Sequence, residues 1–245
     1  MNRTKRGISA VAGFCLLWTL ILFITAVTVY NIAGDRVLLS GEMYRYAWPS
    51  ATGLPDEEYP EMGRMIAEYL TGRRDEFQYT YRDKNDKEIS CFQPHEAAHM
   101  ADCRGLIRTA GTLRWILLAA ALVFFGIGIA IREHRKQFLS GIISGAAVAG
   151  VVFISLLLWG LIDFDSLFTL FHRVMFTNEG WMLNPKTDML IRLMPTPFFT
   201  SMGVRVLLAV AAMGLAAFSA AVTIRMSMRK SEMEARYAEK AAHNA

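Results

Sequence analysis

The chain has 245 residues, 53% of them hydrophobic, with a mean hydropathy of +0.28 and a formal net charge of +4. That hydropathy is high for a water-soluble protein. The positive excess sits in short terminal and connecting segments, which gives no reason to expect a nucleic-acid partner.

The apolar residues form four blocks. Residues 7–34, 115–131, 138–162 and 206–224 carry no charged side chain. A helix needs about 20 residues to cross a hydrocarbon core of about 30 Å. Lipid offers the backbone no hydrogen-bond partners, so the four blocks are expected to be helices. The first is too long for a signal-peptide core and reads as a retained membrane helix.

Orientation follows from Lys and Arg in the short segments. Arg3, Lys5 and Arg6 precede the first block. Arg132, Arg135 and Lys136 lie between the second and third. Arg225, Arg229 and Lys230 follow the fourth. Alternating helices place all three groups on one side, the cytoplasm. The expected order is a stub and first membrane helix (1–34), an outer segment (35–110), the second helix (111–131), and a cytoplasmic loop (132–137). The third helix (138–162), a second outer segment (163–203), the fourth helix (204–224) and a cytoplasmic tail (225–245) complete it. The fold class is an all-α membrane protein: four transmembrane helices with an extracytoplasmic cap of helices and a small β-hairpin.

Within the first outer segment, Met62, Ile66, Tyr69 and Leu70 have helical spacing, and Gly72 is a plausible stop. Phe77, Tyr79 and Tyr81 alternate with polar residues, and Ile89 and Phe92 follow a polar stretch, which reads as a hairpin. Pro94 suits the first turn of a helix running through His99. In the second outer segment, Phe164, Leu167, Phe168, Phe171, Met175 and Phe176 recur at helical spacing. That pattern predicts an interfacial helix with its rings at headgroup level.

Chemistry-bearing residues are few. PHEAAHMADC, residues 94–103, contains His-Glu-x-x-His, the spacing that sets two zinc ligands on one helix face beside a glutamate base. A zinc site would need a third ligand. Asp102 shares the helix face and His172 could approach from the other segment, but no further zinc-protease signature is present. Without a metal, His99 and His172 are the acid–base candidates, since imidazole titrates near neutrality. Asp102, one turn from His99, is placed to orient its ring. No Gly-x-Ser-x-Gly nucleophile occurs. Cys91 and Cys103 both fall in the outer segment, where a disulfide between them could persist.

HMADCRGLI, residues 99–107, resembles the His-Met-x-Asp-Val block of a bacterial four-helix membrane family. Residues 164–199 resemble its second, longer signature through Phe171, His172, Phe176, Asn178, Trp181, Pro185, Asp188, Leu190, Ile191, Pro195, Phe198 and Phe199. The chain is similar to the lipoprotein intramolecular transacylases. Cys103 departs from the usual valine, and His95 is not part of the signature.

The resemblance implies an acyltransferase of the bacterial cell membrane, with its active site at the outer face and both termini cytoplasmic. It would move the sn-2 acyl chain of a diacylglyceryl lipoprotein to the free α-amine of the lipoprotein's N-terminal cysteine. It implies His99 and His172 as catalytic residues, with no cofactor, no metal and no acyl-enzyme. Asp102, Asn178, Trp181 and Asp188 are the orienting or oxyanion candidates, Asp188 through His172. Phe168, Phe171, Phe176, Phe198 and Phe199 would line the acyl chains. Partners would be diacylated lipoproteins with a free N-terminal cysteine and membrane lipids. Two other readings stand beside it: a zinc-dependent membrane hydrolase using His95, Glu96 and His99, and a non-catalytic membrane partner protein.

Overall fold

The structure, a computed structural model, describes residues 3–47, 52–83 and 85–243. Helices dominate it. They are α1 (Arg3–Gly34), α2 (Arg36–Tyr46), α3 (Tyr59–Leu70), α4 (Pro94–Ala130), α5 (Arg135–Ile162), α6 (Phe164–Met175), α7 (Met189–Leu193) and α8 (Thr196–His243). Strands β1 (Thr80–Arg82) and β2 (Glu88–Ser90) pair antiparallel, with Tyr81 opposite Ile89. The expected all-helical class with a small hairpin is therefore what forms.

Four helices, α1, α4, α5 and α8, are long and apolar enough to span a bilayer. Trp115, Leu122, Val151, Leu161, Leu208 and Leu215 leave large apolar side chains exposed along them. Apolar surface on that scale needs lipid around it. The chain is an integral membrane protein.

Two compact units divide the residues. The first comprises 3–24, 115–155 and 210–243. Its small core gathers Ala12, Leu16, Ala121 and Phe138. Close backbone approach holds it: a Cβ on Gly141 would lie 1.9 Å from the Ala10 carbonyl oxygen, and one on Gly13 would lie 2.0 Å from that of Phe138. Small residues at helix contacts replace the hydrophobic driving force that lipid cannot supply. Ser9 Oγ donates to the His134 carbonyl at 3.0 Å.

The second unit comprises 25–47, 52–114 and 156–209. Its core is larger, built on Met43, Tyr59, Met62, Met65, Ile66, Leu193 and Phe198. Helix α2 was not anticipated. It starts at Asp35, whose carboxylate accepts from the Val37 and Leu38 N–H groups and so caps the helix. It packs closely on α3, where a Cβ on Gly63 would come within 2.6 Å of Ser40 Cβ. Helix α3 ends at Thr71, and Gly72 follows with φ of 79°, as its role as a stop required. Helix α7 is short, Met189–Leu193, because residues 184–188 before it fold as a turn around the Asp188 carboxylate.

The α1–α5 contact is directly testable. Gly141→Ala is expected to lower stability by about 1–3 kcal/mol or more, since backbone and not a side-chain tip must move. Gly150→Ala, where nothing lies within 4 Å of the added carbon, should leave the thermal midpoint in detergent unchanged.

Candidate active site

The site is assembled from the first turns of α4, from α6, and from the chain that follows α6. Helix α4 begins at Pro94, and Glu96 reaches back to accept the Gln93 N–H at 2.7 Å, the acidic half of a capping box. With the helix start fixed there, His99 and Cys103 lie one turn apart on one face. Helix α6 is capped by Asp163, which accepts from the Ser166 N–H. From that start Phe164, Phe168 and His172 fall at successive turns.

The two segments bring His99 and His172 together, with ring centroids 6.1 Å apart. Both are buried, each only 7% exposed. Phe176, in extended backbone at the end of α6, touches both rings, at 5.1 Å from His99 and 5.5 Å from His172. Phe168 meets His172 edge-on at 4.2 Å, and Phe171 does so at 5.4 Å. The Trp181 ring lies 5.0 Å from His172. Phe199 packs on Phe168 at 4.8 Å and on Phe198 at 5.2 Å. The five phenylalanines expected at an acyl site thus form one aromatic set around His172, though Phe171 keeps much of its ring exposed.

One hydrogen bond defines the tautomer of His172. His172 Nδ1 lies 2.8 Å from the Phe168 carbonyl oxygen. A carbonyl can only accept, so Nδ1 carries the proton and Nε2 of the neutral ring carries the lone pair. His99 Nε2 lies 3.6 Å from the Cys103 thiol, and its buried Nδ1 has no hydrogen-bond partner. Burial pushes the His172 value below the ordinary 6.5, against the pull of the Phe168 carbonyl. Burial, then repulsion from His172, brings His99 down to about 4, with Asp102 opposing. Both rings are neutral at neutral pH, which is lower-titrating behaviour than their residue type alone suggests.

Several expectations need correction. Asp102 does not orient His99: its Oδ2 accepts from Asn178 Nδ2 at 2.9 Å, while the atom beside the His99 ring is the Cys103 sulfur. Asp188 does not meet His172. It pairs with His95, Nε2 to Oδ2 at 2.9 Å, and accepts from the Asn184 N–H and the Thr187 hydroxyl. Burial alone would raise the Asp188 carboxyl, but the hydrogen bonds from Thr187, His95 and Asn184 outweigh it and hold it at about 2. The Cys91–Cys103 disulfide is not formed. Cys91 is buried in the core of the second unit, Cys103 faces His99, and burial pushes both thiols up to about 12.

The zinc reading fails on the same geometry. The two histidines of His-Glu-x-x-His do not converge on one ion, since His99 turns to His172 and His95 to Asp188. Glu96 is fully buried, and its second oxygen accepts the Leu190 N–H at 2.6 Å, so it faces no open position. His95, Glu96 and Asp188 do offer ligand atoms within 4.8 Å of one another. Those atoms already accept from the Gln93, Leu190 and Asn184 N–H groups and pair with His95. Each of these oxygens therefore already has a hydrogen bond within the protein.

Comparison with known proteins follows the same lines. A family model described as "Lipoprotein intramolecular transacylase Lit" matches residues 11–199. A comparison with curated proteins gave no significant match. Among solved structures, the chain is similar to the membrane integral lipoprotein intramolecular transacylase Lit from Bacillus cereus, at 19% identity and a TM-score of 0.69. That match covers 95% of this chain and 100% of the other. Structures of two variants of the Bacillus enzyme, with one histidine replaced by arginine or by alanine, align at 19% identity with TM-scores of 0.64. Each covers 93% of this chain, and 95% and 96% of theirs.

Burial of the histidines has a consequence for stability. Their folded-state values lie below 6.5, so the unfolded chain binds protons first, and stability rises with pH through that window. The contribution of His99 is fully present above about 6.5 and is lost as pH falls towards about 4. His99→Gln is expected to flatten the thermal midpoint against pH between those limits relative to the parent protein.

Proposed function

Given that the chain belongs to the lipoprotein intramolecular transacylase (Lit) family, we propose that it transfers the sn-2 acyl chain of a diacylglyceryl lipoprotein to the α-amine of that lipoprotein's N-terminal cysteine. The product is an N-acyl, S-monoacylglyceryl lipoprotein. The single observation that carries the reading is the meeting of His99 and His172, two buried imidazoles from separate segments, inside a wall of aromatic rings.

The reaction asks for what these residues can give. Amine and ester belong to one molecule, so the enzyme must fold the substrate until nitrogen meets carbonyl carbon. Such positioning can be worth about 7–11 kcal/mol. One proton leaves the ammonium, whose ordinary pKa is about 7.7–8.0. The amine then adds to the ester carbon, forming the N–C bond. Collapse of the tetrahedral intermediate breaks the C–O bond to the sn-2 carbon, and that oxygen takes up a proton. A neutral imidazole accepts the first proton and an imidazolium supplies the last. No side-chain nucleophile is required, which fits a chain whose cysteine beside His99 is held as a thiol.

The oxyanion of the intermediate needs fixed donors. Asn178 spends one amide N–H on Asp102 and keeps another; its Oδ1 is held by the Gly180 N–H. It is our candidate donor. The aromatic set excludes water that would hydrolyse the ester, and the exposed faces of Leu170, Phe171, Val174 and Met175 on α6 suit an acyl environment. The Lys and Arg groups of the short segments support cytoplasmic termini and a site at the outer face.

The transfer conserves mass, which makes the test discriminating. A synthetic diacylglyceryl lipopeptide with a free amine should give an isomer of the same mass, its amine no longer reactive and its acyl group found on the N-terminal fragment by tandem mass spectrometry. His99→Ala and His172→Ala should each slow this by about 10²–10⁴-fold. Loss of an acyl group as free fatty acid would identify a hydrolase instead. Inactivation by chelators together with a dead Glu96→Gln variant would restore the metal reading.

A further inference from the structure

The His95-Glu96 pair has no part in the chemistry above, yet the structure uses both side chains fully. Glu96 is 0% exposed, and its two oxygens accept N–H groups from two separate pieces of chain, Gln93 before α4 and Leu190 in α7. His95 holds the Asp188 carboxylate, and the same Asp188 oxygen accepts the Asn184 N–H at 2.8 Å. Asp188 is itself buried. The turn at 184–188 is thereby tied to the start of α4 through Asp188, and α7 directly after it through Leu190. Three residues before Asn184 stands Trp181, whose carbonyl accepts the Leu183 N–H and whose ring lies against His172.

Resting on the transacylase reading, we infer that His95 and Glu96, with Asp188, are positioning residues that hold Trp181 against His172. The stretch 176–188 has three ties: Phe176 against the two histidine rings, Asn178 to Asp102, and Asp188 to His95. The first two restrain the end nearest α6. The third is the side-chain tie from α4 to the end that follows Trp181, where Arg192 also donates to the Thr187 and Asp188 carbonyls and Leu183 packs on the core. Releasing it lets the turn shift relative to α4 and so loosens the hold on the indole, while the Phe176 and Asn178 ties to α4 and α6 stay in place. The ring so held closes one side of the imidazole and limits how the substrate's amine and ester approach it. A displacement of about 1 Å at such a wall can cost about a hundredfold in rate. The His-Glu-x-x-His sequence is then one motif with two tasks: its first histidine and its glutamate clasp the loop, and its second histidine faces the partner ring.

The experiment uses His95, because its side chain is 53% exposed and its removal should not unfold the core. His95→Leu removes the donor to Asp188, while His95→Gln retains an N–H. With the lipopeptide substrate, His95→Leu is expected to lower kcat about tenfold with KM within about twofold, and His95→Gln to recover most of the rate. The thermal midpoint should fall modestly in His95→Leu, which leaves the buried Asp188 carboxylate one donor short, and stay near that of the parent in His95→Gln, with both proteins folded at the assay temperature. Trp181→Phe should lower kcat similarly, and the double variant should be no slower than either single one, because His95 acts through Trp181. A structural readout runs in parallel. In full-length protein labelled with 5-fluorotryptophan, the ¹⁹F resonance lost in Trp181→Phe should shift in His95→Leu and stay in place in His95→Gln. A full rate in His95→Leu, additive losses in the double variant, or an unmoved Trp181 resonance would overturn the inference. Absence of N-acyl product from the parent protein would overturn the transacylase reading alone, and the ¹⁹F comparison would still decide whether His95 holds Trp181.

Discussion

The ring of Phe176 touches His99 and His172 at once, and the site depends on that contact. The two imidazoles come from segments 73 positions apart, and neither hydrogen-bonds to the other. What keeps them adjacent is apolar packing around a residue that has just left α6 in extended backbone. Phe168 and Trp181 complete the enclosure of His172, and Phe199 backs Phe168. Burial by aromatic rings also sets the electrostatics. It removes water from both imidazoles, favours their neutral forms and leaves one nitrogen on His99 without a partner. A buried polar atom left unmet in this way is where an incoming polar group gains most.

Around that apolar centre the buried carboxylates of Glu96, Asp188 and Glu42 each meet partners. Glu96 is taken out of water and given two backbone N–H groups; Asp188 is given a histidine, a hydroxyl and an N–H. Each set offsets the desolvation of a carboxylate with hydrogen bonds of fixed geometry. Glu42, buried in α2, is met by Arg205 on α8 at 3.0 Å. The result is a second unit whose loops are held by polar contacts and whose core is held by apolar ones. The first unit relies on close backbone approach at Gly13 and Gly141. That division follows the solvent each must face, since lipid weakens the hydrophobic effect between helices and leaves packing to do the work.

Much of the fold was legible because its signals are one-dimensional. A charge-free run of about 20 residues has one stable form in lipid, a helix, whatever the rest of the chain does. Alternation at Phe77, Tyr79 and Tyr81 and the helical spacing from Met62 to Leu70 are equally local; the helix forms where expected, and the hairpin forms with shorter strands, Thr80–Arg82 and Glu88–Ser90, that leave Phe77 and Tyr79 outside. Helix α2 carries no clear periodic signal because Val37, Leu38, Leu39, Met43, Tyr44 and Tyr46 are spread around it and do not gather on one face; its start at Asp35 was readable as an N-cap. The same holds for the half capping box at Gln93 and Glu96, which the zinc-like spacing obscured.

The sequence by itself determined the membrane helices and the aromatic face of α6, and it pointed to His99 and His172 as a pair. It could not determine who faces whom. Asp102 and Asp188 were natural partners for the histidines by residue type, yet Asn178 takes the first and His95 the second. Cys91 and Cys103 were natural partners for each other, yet one is in the core and the other beside His99. Periodicity fixes which residues share a helix face, because helix geometry repeats every 3.6 residues. The pairing of side chains from segments far apart in the chain depends on where each helix starts and how the loops between them are anchored. Those are set by tertiary contacts such as Glu96 with Leu190, which span 94 positions and leave no local trace.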